Sequence, residues 1–146
     1  MFRITKYINA IHWSSIAGRC QTFEEYDILG HQVSYLIAIY KYPGLSQENL
    51  RDAMFVNKST VARNVKTLID KGFAKSEVDS EDKRVNRIYP TQKLIDFFPK
   101  IEKHLDEWNN EILSDLSYEE KVTFENLLKK VALKAANITK EKRDAQ

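Results

Sequence analysis

The feature that most constrains this chain is a change of hydrophobic period at Gly72. Before it, "LSQENLRDAMF" (45–55) and "VNKSTVARNVKTLIDKG" (56–72) both carry apolar residues at helical steps. In the first segment Leu45, Leu50, Ala53 and Met54 form an inward stripe behind Ser46, a favourable N-cap. In the second, Val61, Val65, Leu68 and Ile69 share a face, and Gly72 supplies the stop. Only "FVNK" separates the two, the length of turn that joins a helix pair. Beyond Gly72, "FAKSEVD" (73–79) and "VNRIYPT" (85–91) alternate in strand fashion around the polar "SEDKR", which predicts a short charged hairpin. Pro90 is expected to end the pairing or mark an edge strand, and so to shorten the second strand.

The flanks read as helix. Ile4, Tyr7, Ile8, Ile11 and Ser15 fall at helical spacing over 4–18. "TFEEYDILG" (22–30) is a connection in which Thr22 and Glu25 have capping-box spacing. "HQVSYLIAIYKY" (31–42) is apolar enough for a buried helix ending at Pro43-Gly44. From Thr91, a helix is expected through Leu94, Phe97, Phe98, Ile101, Leu105, Trp108 and Ile112, with Pro99 kinking or breaking it. Ser117 and Glu120 form a second capping box, opening a helix with Phe124, Leu127, Leu128, Val131, Ala135 and Ile138. "TKEKRDAQ" (139–146) is expected to fray. The prediction is a single, mainly α domain over 1–146 with a small β-hairpin.

Charge is distributed unevenly. Between Asn57 and Thr91, eight Lys/Arg stand against five Asp/Glu, whereas the whole chain is only +2. The excess is therefore local to the second helix and the hairpin, as a footprint for an anionic partner would be. The longest apolar runs, such as "YLIAIY" (35–40), are too short to span a membrane, and the N-terminus lacks a signal-peptide core. Cys20, the single cysteine, suits a reducing cytoplasm. No Gly-rich phosphate loop, nucleophile elbow or usefully spaced Cys/His pair points to catalysis. His12, His31 and His104 have no metal-ligand spacing, and no cofactor is expected.

The order helix, short turn, capped helix, glycine, hairpin, long helix is that of a winged helix-turn-helix. On the 56–72 helix the inward stripe leaves Ser59, Thr60, Arg63, Asn64, Lys66 and Thr67 facing out. Arginine can pair with guanine, asparagine with adenine, and hydroxyls and lysine with bases or phosphates. Lys58 to Asn64 are expected to go deepest, because recognition helices insert their N-terminal end.

Residues 45–91 resemble the MarR family of winged-helix regulators. "NKSTVARNVKTLIDKGF" is similar to the family's recognition helix and "DSEDKRVNRIYPT" to its wing, with the Asp-x-Arg signature on Asp82 and Arg84. The resemblance implies that Arg84 enters a minor groove, where a guanidinium suits the enhanced negative potential, and that Asp82 holds the wing in shape. Arg87, on the second wing strand, joins the DNA-binding set. The wing ends "IYPT" instead of the family's usual leucine-rich "LT", which bears on operator choice.

The resemblance further implies a DNA-binding lobe at 31–91 and dimerisation helices at 1–21 and 92–138. The chain would then be a homodimeric repressor on a pseudo-palindromic double-stranded operator, relieved by a small molecule or another signal. Trp13, Tyr7, Tyr35, Tyr40 and Trp108 are candidates to line a pocket for an aromatic effector. Two other readings remain open. One is a redox-responsive regulator acting through Cys20, although the peroxide-sensing branch places its cysteine near the start of the helix and a tyrosine about where Gly30 stands here. The other is a winged-helix module for protein contacts.

Overall fold

Two side-chain caps fix the helix pair at the centre of the fold. The computed structural model describes residues 3–145. Ser46 caps helix α3 (Gln47–Met54), accepting from the Asn49 amide while the Asn49 side chain accepts from the Ser46 amide. Asn57 does not continue the helix that spacing predicts over 56–72. It caps α4 (Lys58–Asp70) by accepting from the Thr60 amide at 2.8 Å. Phe55 takes the left-handed conformation (φ 54°) in the turn between the two helices, and Gly72 does so (φ 76°) after α4.

Ahead of this pair lie α1 (Ile4–Phe23), a 3₁₀ turn at Glu24–Tyr26, α2 (Gln32–Lys41) and the two-residue strand β1 (Leu45–Ser46). After it come β2 (Ala74–Val78), β3 (Asn86–Pro90), α5 (Gln92–Ile112) and α6 (Tyr118–Asp144). The strands form an antiparallel sheet in the order β1-β3-β2, so the hairpin's second strand is central and not an edge. The pairing ends at Pro90, as one of the two expectations has it. Pro90 pairs in register with Ala74, and the Thr91 amide bonds the Phe73 carbonyl at 3.1 Å just beyond. The amide that proline lacks is replaced by that of its neighbour.

The chain divides into two compact units, one ending at Asp106 and the other beginning at Glu107. In the first, Leu36 and Ile39 of α2, Leu50 of α3, and Val61, Val65 and Leu68 of α4 close a core. Ile88 of β3 and Leu94, Phe98 and Ile101 of α5 complete it. Burying each of these side chains contributes about 1.5–3 kcal/mol. Val61, Val65 and Leu68 are inward as their spacing predicts, and Ile69 is partly buried against them. Ala53 is exposed, because α3 buries only the side of Leu50.

Other expectations need correction. Helix α1 runs past its predicted end at Gly18 to Phe23, which is buried, so Thr22 lies within the helix and the Thr22–Glu25 capping box does not form. Thr22 Oγ1 instead lies 3.2 Å from His104 Nδ1. Helix α5 is continuous through Pro99. The hydrogen bond lost there is offset by burial of Phe97, Phe98 and Ile101 around it.

The second unit holds the end of α5, a turn and α6. Ser117 and Glu120 close the predicted capping box. The helix then continues to Asp144, with Lys142 and Arg143 in its last turn where they favour the helix dipole, so Thr139 to Asp144 are helical where fraying was expected, and Gln146 lies outside the described residues. Phe124, Leu127, Leu128, Val131 and Ile138 are exposed.

Candidate nucleic-acid interface

Helix α4 presents three faces, set by its residue spacing. Val61, Val65 and Leu68 enter the core. Lys58, Ser59, Arg63, Lys66 and Asp70 are exposed. Thr60, Arg63, Asn64, Thr67 and Lys71 form a third stripe that lines a cleft, so Arg63 stands at the border of two faces.

The exposed face is polar and largely uncommitted. Ser59 Oγ donates to Asn57 Oδ1 at 2.8 Å, which leaves its oxygen to accept hydrogen bonds from a partner. Lys66 Nζ pairs with Asp70 across one turn at 2.7 Å, both side chains mostly exposed, a contact that contributes little in water. Lys58 lies in the first turn and Arg63 projects outward.

Asn64 does not belong to this face. It is buried at 7% exposure. Its Nδ2 donates to the Thr60 carbonyl at 2.9 Å, and its Oδ1 lies 3.0 Å from His31 Nε2. Since Asn64 Oδ1 can only accept, His31 must be the donor through Nε2–H. Thr60 is half-buried on the cleft wall, so the outward set contracts to Lys58, Ser59, Arg63 and Lys66.

The wing is held by a residue that motif spacing does not single out. Asp79 Oδ1 accepts from the amides of Glu81 (2.9 Å) and Asp82 (2.8 Å), and its Oδ2 accepts from Arg87 Nε at 2.6 Å. These contacts, that with the Asp82 amide foremost, hold the Asp79 carboxyl down to about 2 from an ordinary 3.8. The available signal was "DSED", in which an aspartate can bond the amides two and three residues on.

Arg87 is occupied by this brace. Its guanidinium spans Asp79 and the Gly44 carbonyl, fastening the wing to the turn after α2. Arg87, expected in the DNA-binding set, is thus engaged in the wing's own structure, with its side chain 38% exposed. Arg84 is different. Its side chain is 90% exposed and forks onto Asp82, Nε to Oδ1 and Nη2 to Oδ2, both at 3.0 Å. Asp82 therefore orients the arginine itself, and the pairing lowers the Asp82 carboxyl and raises the Arg84 guanidinium.

The cleft beside α4 has a volume of about 720 Å³. Its walls include His12, Trp13 and Ile16 of α1, Tyr35 of α2 and the third stripe of α4. Burial pushes the Tyr35 hydroxyl above its usual pKa. Of the five aromatics expected around a ligand, Trp13 and Tyr35 line this cleft. Tyr40 is stacked on Phe98 with centroids 3.6 Å apart, Tyr7 is exposed, and Trp108 belongs to the second unit. Cys20 accepts from the Gly30 amide at 3.2 Å and is otherwise a thiol on the α1 surface.

The same layout occurs in known proteins. The MarR family profile matches residues 26–85. The uncharacterized HTH-type transcriptional regulator YybA of Bacillus subtilis is 32% identical over 109 residues, covering 75% of this chain and 73% of its own. The chain belongs to the MarR family. The HTH-type transcriptional regulator BilQ of Clostridium symbiosum is 34% identical over 97 residues, 66% of this chain and 67% of its own. A MarR family transcriptional regulator of Listeria monocytogenes, solved in complex with a 26mer DNA, superposes with a TM-score of 0.88 at 25% identity, covering 94% of this chain and 91% of that one. The family and these relatives are transcription regulators and not enzymes. Among the described residues no helix is long and apolar enough to cross a membrane.

Proposed function

We propose that this MarR-family regulator binds double-stranded DNA sequence-specifically, through α4 in a major groove and the wing in the flanking minor groove. The observation that carries the reading is the pairing of two exposed cationic probes on one lobe, Arg63 on α4 and Arg84 on the wing. The 31–91 segment is the DNA-binding lobe. Lys58, Ser59, Arg63 and Lys66 contact bases and phosphates, and Arg84 enters the minor groove. The DNA-bound Listeria relative supports this assignment.

The regulator acts as a cytoplasmic homodimer and represses from a pseudo-palindromic operator. The support is unburied apolar surface: Ile4, Tyr7, Ile8 and Ile11 are all exposed on α1, as are Leu127, Leu128 and Val131 on α6. Stripes of this kind mark an interface, and two-fold pairing doubles the contacts to DNA. A small aromatic effector occupies the cleft beside α4 and shifts the population away from the DNA-competent arrangement.

The test is duplex binding across a salt series. A DNA-binding regulator loses affinity steeply between about 50 and 200 mM salt, by about 10³-fold or more where roughly six or more phosphates are contacted. Arg84→Ala lowers affinity most for sites with A·T-rich flanks. Binding that ignores salt would favour the protein-contact module, and an unimpaired Arg84→Ala variant at matched salt would remove the wing from the interface.

A further inference from the structure

The recognition helix is moored at two points to one short segment ahead of α2. At its middle, Asn64 Oδ1 accepts from His31 Nε2. At its C-terminal end, the Lys71 ammonium bonds both the Asp27 carbonyl oxygen and, at 3.1 Å, the Asp27 carboxylate. Asn64 and Lys71 are seven residues apart, about two helical turns or roughly 10 Å along the axis. Their partners lie four residues apart in the 27–31 segment.

We infer that Asp27 and His31 are positioning residues for DNA reading, fixing the rotation and tilt of α4 so that Ser59, Arg63 and Lys66 face the groove. The inference rests on the DNA-binding reading above. The core stripe of Val61, Val65 and Leu68 holds α4 from one side only, and apolar contacts are non-directional. Two directional bonds on a second side, separated by about two turns, remove the freedom that the core leaves. Asp27 is suited to its post. It holds the left-handed conformation at φ 55°, which aspartate tolerates, and so turns both its carbonyl and its carboxylate toward one ammonium.

The two moorings also bound the cleft, since Asp27, His31, Asn64 and Lys71 all line it. An occupant that filled it would lie beside the bonds that aim the helix. Lys71 is anchored on its other side as well, its carbonyl accepting from Lys93 Nζ at 2.6 Å.

Charge and position predict opposite outcomes for Asp27→Asn. Removing a negative charge beside a DNA-binding surface should by itself raise affinity for any duplex. Asp27→Asn leaves the carbonyl bond to Lys71 in place and removes the carboxylate one; if that carboxylate positions α4, affinity for a duplex selected from a random pool falls while affinity for a scrambled duplex holds or rises. The expected loss in the selected-to-scrambled ratio is roughly threefold to thirtyfold. His31→Ala gives the same loss, and His31→Gln, which keeps a donor for Asn64, recovers much of it. Both side chains are exposed, so folding should survive each change, as thermal unfolding would verify.

A ratio unchanged in Asp27→Asn and His31→Ala, with the wild type discriminating between duplexes, overturns the inference. Should the wild type prefer no sequence, the DNA-reading proposal itself fails. Amide hydrogen exchange in α4 then judges the moorings alone. Faster exchange over the last turns of α4 in both variants, at an unchanged unfolding midpoint, supports them, and unchanged exchange rejects them.

Discussion

Asn64→Ala separates a base-reading asparagine from a structural one. The side chain is 7% exposed and makes two hydrogen bonds, to the Thr60 carbonyl and from His31. Each such bond contributes about 0.5–1.5 kcal/mol net. Neither partner is stranded by the change, because His31 is exposed and returns to water while the Thr60 carbonyl lies within α4 and keeps its backbone partner. The expected destabilisation is therefore about 1–2 kcal/mol, near the sum for two ordinary bonds and without a penalty for an orphaned group. For a chain of this size that is roughly 2–8 °C in the unfolding midpoint. The companion measurement is selection of binding sites from random duplex DNA by wild type, Asn64→Ala and Arg63→Ala. Asn64→Ala should select the same bases more weakly, whereas Arg63→Ala should lose preference at one position, at a cost of about 1–3 kcal/mol there. The reasoning is refuted if Asn64→Ala loses preference for adenine at a single position while its unfolding midpoint matches wild type.

Acid should loosen the wing before the lobe. Asp79 has a folded-state pKa of about 2 against 3.8 ordinarily, so its contribution is complete above the higher value and is lost as pH falls from about 4 toward 2. Backbone resonances of Glu81 and Asp82 followed by NMR should report this opening, and Asp79→Asn should remove the Asp79 component, leaving the titration of Asp82 against Arg84. A wing indifferent to pH across that window would contradict the brace. Gly30→Ala tests the packing of α1 on the segment before α2. An added Cβ would overlap the Ile16 carbonyl oxygen and stand 2.8 Å from Cys20 Sγ, and backbone cannot step aside as a flexible side chain can. The expected cost is about 3 kcal/mol, the upper end for overpacking, or roughly 6–12 °C. A wild-type midpoint in that variant would show that the contact is not close in solution.

The helix pair and the hairpin were legible because each announces itself locally. Periodicity chose Val61, Val65 and Leu68, Ser46 and Ser117 marked their caps, and the alternation after Gly72 marked the strands. The misreadings share a different cause. Asn64 lies one residue from Arg63 on the helix, and spacing alone does not reveal that a histidine 33 positions earlier will claim it. The partners of Arg87, Asp79 and Gly44, likewise come from across the hairpin and from the turn after α2, beyond the reach of local spacing. Strand β1 escaped notice for the same reason, two residues long and defined only by pairing with Ile88 and Arg87. Long-range partners decide which polar residues remain free, and a pattern of short period does not contain them.

That distinction also bears on Arg84, whose guanidinium is engaged by Asp82 and yet is the proposed probe. Each wing arginine is paired with a carboxylate, Arg84 through a fork onto Asp82 and Arg87 through Nε alone onto Asp79, but their surroundings differ. Arg87 faces a carboxylate that two backbone amides also hold, and its side chain is only 38% exposed. Arg84 is 90% exposed against a half-exposed partner, in contact with water that can screen both charges. A minor groove offers Arg84 a stronger field than one solvated carboxylate does, so exchange from Asp82 to DNA requires little desolvation. Arg87 would have to abandon the brace that shapes the wing. Exposure, more than the presence of a partner, therefore separates the arginine that can read DNA from the arginine that builds the reader.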